Sequence, residues 1–416
     1  MKNLFKFLSA ALAFCTVLSA CGGYEDRKED NDNNIETSAN DTENDTENGD
    51  DILHTPESDE LDPLEAEKAI VEAFSTSDAK TQTLNMLEAI DFYRPLGRTA
   101  LLNTSLSCDW TASGAEFKIL CKGDVLLGIT ASNSSTTFTV VIDGAVSEKY
   151  FLVNKGSGTY TVAKDLDAGF HTIKILGEKG YGNNATIDSI TFTGDLYKLA
   201  PKDVYIEVVG DSITCGAGLG LLNDKRVNDG IEAYAYLALA ELDVDYSICS
   251  NGGMGIAYAG SETNIFSKVY PYRNLKRDNT PYAPTRVPDL IVVNLHTNDN
   301  WQWFSNTKNA ENEKYNYNTF DAMFDDMITT FTNLYGKDVP MLFVFGCMAN
   351  ENYENATMRS KELIKLEYIP AGYDMKIVNL TTNRAGEASH PNKDGAKIQG
   401  AELAAFIRAN YPHLFN

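Results

Sequence analysis

Basic residues are scarce in this chain, and their scarcity excludes one class of partner. Thirty-five Lys and Arg stand against 59 Asp and Glu, which gives a net charge of −24 over 416 residues. Because nucleic acids are bound by cationic surfaces that neutralise phosphates, this balance predicts that nucleic acid is not a partner. It also predicts weak affinity for polyanionic substrates.

Cysteine is sparse as well, with 7 residues and no Cys/His cluster at zinc-ligand spacing. The sequence therefore predicts no metal site. Cys108 and Cys121 could pair in an oxidising compartment. The other cysteines beyond the N-terminal segment fall at the ends of predicted core strands, where a thiol behaves as a small hydrophobe: Cys215, Cys249 and Cys347.

Long apolar runs are missing after the N-terminus. Residues 1–20 carry Lys2 and Lys6 and then an apolar run, which is typical of a secretory signal and too short for a stable membrane span. The signal leads into Leu-Ser-Ala-Cys-Gly, which resembles the lipobox of bacterial lipoproteins and implies a lipid on Cys21. The alternative is a plain signal peptide with an incidental cysteine. We expect a lipid-anchored protein of the bacterial cell envelope, at the outer membrane or cell surface.

Residues 21–62 are almost devoid of apolar side chains. They hold sixteen Asp and Glu against only Arg27 and Lys28. Such a segment buries too little surface to offset its chain entropy, so it is predicted to be a disordered, self-repelling tether. Metal binding by its carboxylates is the alternative.

Three stretches of different periodicity follow. Residues 63–90 place apolar side chains three and four positions apart, which predicts a helical lead-in. Residues 91–200 show short alternating runs broken by turns, which predicts a β-sandwich (jelly-roll) domain. Residues 201–416 alternate strands with helices, which predicts an α/β domain with three α/β/α layers and a mainly parallel five-stranded sheet.

Element bounds follow from the same patterns. In the β segment, turns are expected at residues 143–144, 156–158, 167–169 and 177–182. The α/β segment has five strand candidates, at residues 204–210, 244–250, 290–295, 341–345 and 375–380. Its helix candidates are residues 231–241, 320–335, 356–366 and 393–410.

Polar or glycine-rich clusters stand at the ends of these strands. Gly-Asp-Ser-Ile follows the first strand at 210–213, Ser-Asn-Gly-Gly-Met-Gly the second at 250–255, and His-Thr-Asn-Asp the third at 296–299. Glu-Ala-Ser-His-Pro, at 387–391, precedes the last helix. Because parallel strands bring their carboxyl ends to one sheet edge, we expect the clusters to converge there.

The four clusters in this order resemble the SGNH (GDSL-type) hydrolases over roughly residues 202–416. The resemblance implies that Ser212 is the nucleophile and that His390 takes its proton and later delivers it to the leaving alcohol. The oxyanion donors would be the N–H groups of Ser212 and Gly253 and the side chain of Asn298. Gly255 replaces Gly253 if the glycine-rich turn aligns two residues further on. This chemistry needs no metal or organic cofactor.

Two positions depart from the family pattern. His296 stands where a glycine is usual, so its ring either packs under the site, narrows or polarises the pocket, or competes with His390 as the base. Glu387 stands where an aspartate usually orients the histidine. Either its carboxylate orients His390 in a Ser-His-Glu triad, or a backbone carbonyl does so in a Ser-His dyad.

A β-sandwich joined to this domain by a short Pro-containing link resembles carbohydrate esterase family 2. Residues 108–117, with Trp110, resemble the first jelly-roll strands of that family. The β domain is then either an independent carbohydrate-binding module or a packed support that shapes one wall of the cleft. The short link, residues 199–202, favours the support.

Several residues near the matched blocks are candidates for substrate binding. Flat rings stack on pyranose faces, which favours Trp301, Trp303 and Tyr258, although either tryptophan could instead pack against the β domain. Asp211 and His296 complete this group.

The resemblance implies a serine esterase that removes acetyl groups from an O-acetylated, plant-type glycan, in the manner of acetylxylan esterases. One alternative is an SGNH esterase acting on another acyl ester, of an envelope glycan or a lipid. The other is an inactive surface lipoprotein that binds glycans.

Overall fold

Two sheets dominate the computed structural model, which describes residues 63–178, 184–275, 279–307, 316–349 and 354–415. Leu61–Asn416 form one compact unit. Cys21 and the acidic segment lie outside the described residues, so the lipid anchor and the tether stay predictions. In the described ranges, no helix combines the length and apolar character that a bilayer crossing requires.

The lead-in is helical only in its first half. Helix α1 spans Pro63–Ser75, but strand β1 occupies Thr81–Asn85 and pairs antiparallel with β9, Ala185–Tyr197. The predicted helix is therefore wrong beyond Ser75. The polar, β-branched alternation of this stretch suits a strand, and the Thr81 and Thr83 hydroxyls each lie 2.8 Å from a threonine hydroxyl of β9.

Hydrogen bonds join nine strands of the β segment into one antiparallel sheet, and its jelly-roll connectivity stays a prediction. Its main path runs β3-β4-β9-β5-β8-β6-β7, with β1 on β9 and β2 on β5. The strands other than β1 and β9 are β2 Tyr93–Leu96, β3 Ala100–Leu102, β4 Ser105–Ser107, β5 Gly114–Ala131, β6 Thr136–Ile142, β7 Ala145–Val153 and β8 Gly156–Gly177.

Two of the four predicted turns in this segment are wrong, and the one at 177–182 lies mostly outside the described residues. Residues 143–144 form the turn between β6 and β7, but residues 156–158 and 167–169 lie inside the 22-residue strand β8. Strand β8 stays paired with β5 through three register shifts, so its glycines sit in an irregular but continuous ladder. Cys108 and Cys121 are both buried and are not joined to each other, so the disulfide is absent.

The α/β segment is built on a five-stranded sheet whose strand pairs are all parallel, in the order β13-β10-β14-β15-β16. A small hairpin, β11 and β12, follows the first strand. The strands are β10 Tyr205–Gly210, β11 Gly220–Leu222, β12 Lys225–Val227, β13 Asp245–Ser250, β14 Leu290–Asn294, β15 Met341–Phe345 and β16 Met375–Asn379.

Helices cover both faces of this sheet, because its strands bury alternate residues on opposite sides. Val208 and Val292 share one core cluster with helices α2 and α7, while Val209 and Val293 share the other with α5. The helices are α2 Tyr234–Leu242, α3 Phe266–Val269, α4 Thr297–Thr307, α5 Tyr317–Tyr335, α6 Asn355–Leu363 and α7 Lys393–Asn410, with a π-helical turn after α6.

The β segment packs directly onto the edge of the parallel sheet. Thr111 forms an antiparallel bridge with Ile248 of the edge strand β13, and its hydroxyl lies 2.7 Å from the Ser250 hydroxyl. Trp110 is fully buried in the α/β core and donates to the Arg273 carbonyl. This integration favours the packed support over the independent module.

Candidate active site

The nucleophile candidate stands on a tight turn directly after β10. Gly210 ends the strand, and a Cβ at this position would lie 2.0 Å from the Thr214 hydroxyl oxygen, so only glycine lets the turn close. Asp211 Oδ1 accepts from the Ile213 N–H at 2.9 Å and fixes the turn around Ser212. Ser212 is half-buried and lines a cavity of about 540 Å³.

His390 reaches Ser212 from the segment before α7. Its Nε2 lies 2.8 Å from Ser212 Oγ, and its Nδ1 lies 2.9 Å from the main-chain carbonyl of Glu387. A carbonyl oxygen only accepts, so Nδ1 carries the proton and Nε2 is left free to accept from the serine hydroxyl. This tautomer is the one that general-base catalysis requires.

A backbone carbonyl therefore occupies the position expected for a third triad member. Ala388 and Ser389 adopt positive φ angles of 49° and 64°, and this turn brings the Glu387 carbonyl beneath the His390 ring. The Glu387 side chain is exposed and lies against Gly218. The geometry is that of a Ser-His dyad, and it assigns orientation of the ring to the Glu387 main chain.

Asn298 lies in the first turn of α4 and lines the same cavity. Its Nδ2 donates to the Met254 carbonyl at 2.9 Å and to Asp211 Oδ2 at 3.3 Å. These two contacts hold the amide in one orientation beside Ser212, and its role as an oxyanion donor stays a prediction.

Asp211 is a positioning residue here, which corrects its assignment to substrate binding. Its side chain is fully buried and does not line the cavity. Burial raises the pKa of Asp211 to about 7, and the nearby Asp299 adds to this rise. Its carboxylate joins the nucleophile turn to Asn298.

The glycine-rich turn after β13 distinguishes the two candidate glycines. The Gly255 N–H donates to the Asn264 carbonyl at 3.3 Å, so it is already engaged. Gly253 has a φ of +77°, and within the described ranges its N–H has no hydrogen-bond acceptor. It does not line the cavity, so its oxyanion role stays a prediction.

Asp299, which sequence reasoning missed, fixes this turn. Its carboxylate accepts the N–H groups of three consecutive residues, Ile256, Ala257 and Tyr258, at 2.6 to 2.9 Å. Burial raises its pKa to about 6. Its position directly after Asn298 was the only sequence signal for this role.

His296 packs at the cavity wall in a conformation that normally belongs to glycine. Its φ is +153°, and its side chain is buried with the ring centroid 4.5 Å from that of Phe345. Burial lowers the pKa of His296 to about 4. The ring narrows the cavity, and it is His390 that bonds to Ser212.

The aromatic candidates divide between cavity and core. Trp301 is 56% exposed and lines the cavity. Trp303 and Tyr258 are buried in the α/β core with ring centroids 5.7 Å apart, so their assignment to substrate binding is wrong. The two tryptophans lie two residues apart in α4, and side chains at that spacing point to different faces of a helix, so both cannot face the cavity.

Comparison with models of known protein families and with curated proteins gives no match. Solved structures do match. An acetyl xylan esterase from the rumen bacterium Butyrivibrio proteoclasticus aligns over 81% of this chain and 100% of its own, with a TM-score of 0.70 and 17% identity. A family two carbohydrate esterase from Clostridium thermocellum, in complex with cellohexaose, aligns over 77% and 99%, with a TM-score of 0.65 and 20% identity.

A family two carbohydrate esterase from Cellvibrio japonicus gives a TM-score of 0.64 at 16% identity, over 80% of this chain and 98% of its own. The chain shares the fold of these solved structures. These matches span nearly the whole of each solved chain, so they cover the β segment together with the α/β segment.

Within this shared fold, the β segment contacts residues behind the nucleophile turn. Tyr150, at the middle of β7, donates its hydroxyl proton to Asp229 at 2.8 Å, and Lys149 lies 3.0 Å from the same carboxylate. The Asp229 N–H in turn donates to the Gly216 carbonyl just after the nucleophile turn. Among the described residues, those lining the cavity all come from Ser212 onward, so the β segment does not shape its wall.

Two cationic side chains in the cavity were also missed. Lys361 and Arg384 line it together with Ser212 and His390. Lone basic residues in a helix and a loop carry no sequence pattern that would place them in a site. Across the described ranges, no group of three His, Cys, Asp or Glu side chains is arranged to hold a metal ion.

Proposed function

We propose that the protein is a serine esterase that removes acetyl groups from an O-acetylated polysaccharide or oligosaccharide. The observation that carries the proposal is the Ser212–His390 contact of 2.8 Å, with the Nδ1 proton fixed by the Glu387 carbonyl. The cavity beside it, with the exposed Trp301, is of a size that suits a sugar ring and an acetyl group. The shared fold with carbohydrate esterases supports the same substrate class.

The reaction follows from these positions. Ser212 Oγ attacks the acetyl carbonyl while His390 Nε2 takes its proton, and the Ser212 and Gly253 N–H groups with Asn298 bind the oxyanion. The intermediate collapses, and His390 returns the proton to the departing sugar oxygen. Water, activated by His390, then hydrolyses the acetyl-enzyme and releases acetate.

Location belongs to the same proposal. The lipobox-like sequence before Cys21 supports a lipid anchor in the bacterial cell envelope, and the acidic segment after it would hold the enzyme away from the membrane. An enzyme placed there would meet glycans outside the cytoplasm.

Acetate release from 4-nitrophenyl acetate tests the chemistry, and Ser212→Ala should reduce it by about 10⁴-fold or more, because the nucleophile is lost while the fold stays. A panel of acetylated xylan, acetylated glucomannan and O-acetylated peptidoglycan then tests the substrate class. Hydrolysis of the aryl acetate that persists in Ser212→Ala contradicts the mechanism. Activity on peptidoglycan alone would favour an envelope glycan over a plant-type one.

A further inference from the structure

The active-site cavity contains two cations that acetyl transfer does not use. Lys361 comes from the last turn of α6, and Arg384 comes from the segment between β16 and α7. Both line the cavity that contains Ser212 and His390. Positive charge at this place is unexpected in a chain with a net charge of −24.

Among the described residues, no carboxylate forms an ion pair with either cation. Lys361 Nζ donates to Asn379 Oδ1 at 2.8 Å and lies 4.8 Å from the Phe345 ring centroid, and neither of these contacts supplies a carboxylate. Arg384 has no hydrogen-bond or ion-pair partner in the part of the chain that the structure describes. Glu354 is the single acidic residue lining the described cavity; its charge raises the pKa of Lys361, but it is not in ion-pair contact with either cation.

The charge of Lys361 acts inside the cavity. Burial lowers the pKa of Lys361 and outweighs the opposing effect of Glu354, and Lys361 in turn contributes to the lowered pKa of His296. A partly desolvated cation that no carboxylate contacts favours an anionic ligand. Because the protein as a whole repels polyanions, this local charge suits one carboxylate rather than a densely charged chain.

We propose that Lys361 and Arg384 form a carboxylate-binding subsite, so that the substrate is an acetylated glycan with a uronic acid next to the acetylated sugar. This inference rests on the proposed esterase function. The uronate carboxylate would accept hydrogen bonds from the Lys361 ammonium and from the planar Arg384 guanidinium, while the acetyl group lies at Ser212. The subsite would then select among acetylated glycans rather than take part in the chemistry.

A matched pair of substrates tests the subsite. Acetylated glucuronoxylan oligosaccharides are compared with the same oligosaccharides after reduction of the uronate carboxyl to an alcohol, with 4-nitrophenyl acetate as the measure of esterase chemistry. In the wild type, kcat/KM should be roughly tenfold or more higher for the acidic form, as expected for charge-assisted hydrogen bonds. Lys361→Met and Arg384→Gln should each bring the acidic-to-neutral ratio towards one.

Two control variants separate selection from general damage. Lys365→Met removes a neighbouring lysine that does not line the cavity, so the ratio should stay at the wild-type value. Trp301→Ala should weaken both glycans equally and keep the ratio. Because Arg384 is exposed, Arg384→Gln remains informative if Lys361→Met does not fold.

Three outcomes would overturn the subsite. They are a wild-type ratio near one, a ratio that neither cation variant changes, and activity on the aryl acetate with none on either glycan. If no acetate is released from any of the three substrates, the proposed esterase function itself is overturned.

Discussion

Single residues decide how the proton moves in this site. The Glu387 carbonyl accepts the hydrogen bond that fixes the proton on His390 Nδ1. Glu387 therefore orients the ring through its main chain and not through its carboxylate. His296 departs as well, since it takes a glycine conformation and fills the cavity wall. Its ring is neutral at pH 7 because burial lowers its pKa to about 4.

The neutral His296 should make the protein lose stability in acid. Between pH 6.5 and about 4, His296 is protonated in the unfolded chain but stays neutral in the folded chain. The free energy of unfolding therefore falls as the pH falls through this range. In His296→Gln the drop between pH 7 and 4 should be smaller by about 3 kcal/mol. Urea unfolding of the wild type and of His296→Gln between pH 7 and 4 measures this difference, and His413→Gln, at an exposed histidine, is the control. Parallel pH profiles for wild type and His296→Gln would contradict the assignment.

At the scale of elements, the strand-end turns hold the site together. The turn after β13 is tied to the start of α4 by Asp299, and the turn after β10 is tied to α4 through Asp211 and Asn298. Gly255 lies at the tightest point, where a Cβ would fall 2.0 Å from the Tyr258 carbonyl oxygen and 2.9 Å from Asp299 Oδ2. The conformation of the turn after β13 therefore depends on its contacts with Asp299 as well as on its own sequence.

Gly255→Ala should damage both stability and catalysis. The added methyl must displace backbone, which should lower the free energy of unfolding by roughly 1–3 kcal/mol and lower kcat on 4-nitrophenyl acetate as the turn shifts. Gly260→Ala is a matched control in the same loop, because a Cβ there meets nothing within 4 Å. Equal effects in the two variants would show that the close approach at Gly255 is unimportant.

Across the whole molecule, a buried ion pair joins the β segment to the parallel sheet. Arg98 and Glu207 are fully buried with 3.2 Å between Nη2 and Oε2, and the guanidinium stacks on the Tyr270 and Tyr282 rings. Arg98 also donates to the Tyr270 carbonyl at 2.6 Å. The two segments should therefore unfold in one cooperative transition.

Arg98→Met should lower the free energy of unfolding by about 3–5 kcal/mol, because it leaves the Glu207 carboxylate buried without a cation. Thermal and urea unfolding measure this loss. Adding Glu207→Gln in a double variant should recover part of it, while Lys164→Met, at an exposed pair, should change little. A loss in the double variant equal to the sum of the two single losses would contradict the coupling.

The sequence by itself determined the alternation of strands and helices after residue 201 and the nucleophile turn at Ser212. These features are local, because periodicity and turn chemistry are written into neighbouring residues. The predicted bounds of α7 match the observed Lys393–Asn410, since a capping Asn392 and a regular apolar face mark it. The strand bounds of the β segment were predicted less well, because the length of β8 depends on its pairing with β5.

Only the tertiary structure decided which of the marked residues reach the substrate. Trp301 and Trp303 are nearly adjacent in sequence, yet one lines the cavity and the other is core, because helix α4 presents them to different surroundings. Likewise, the partner of His390 is a backbone carbonyl whose position depends on left-handed residues 388 and 389. Side-chain direction and backbone placement follow from packing over long sequence distances, which a linear pattern does not encode.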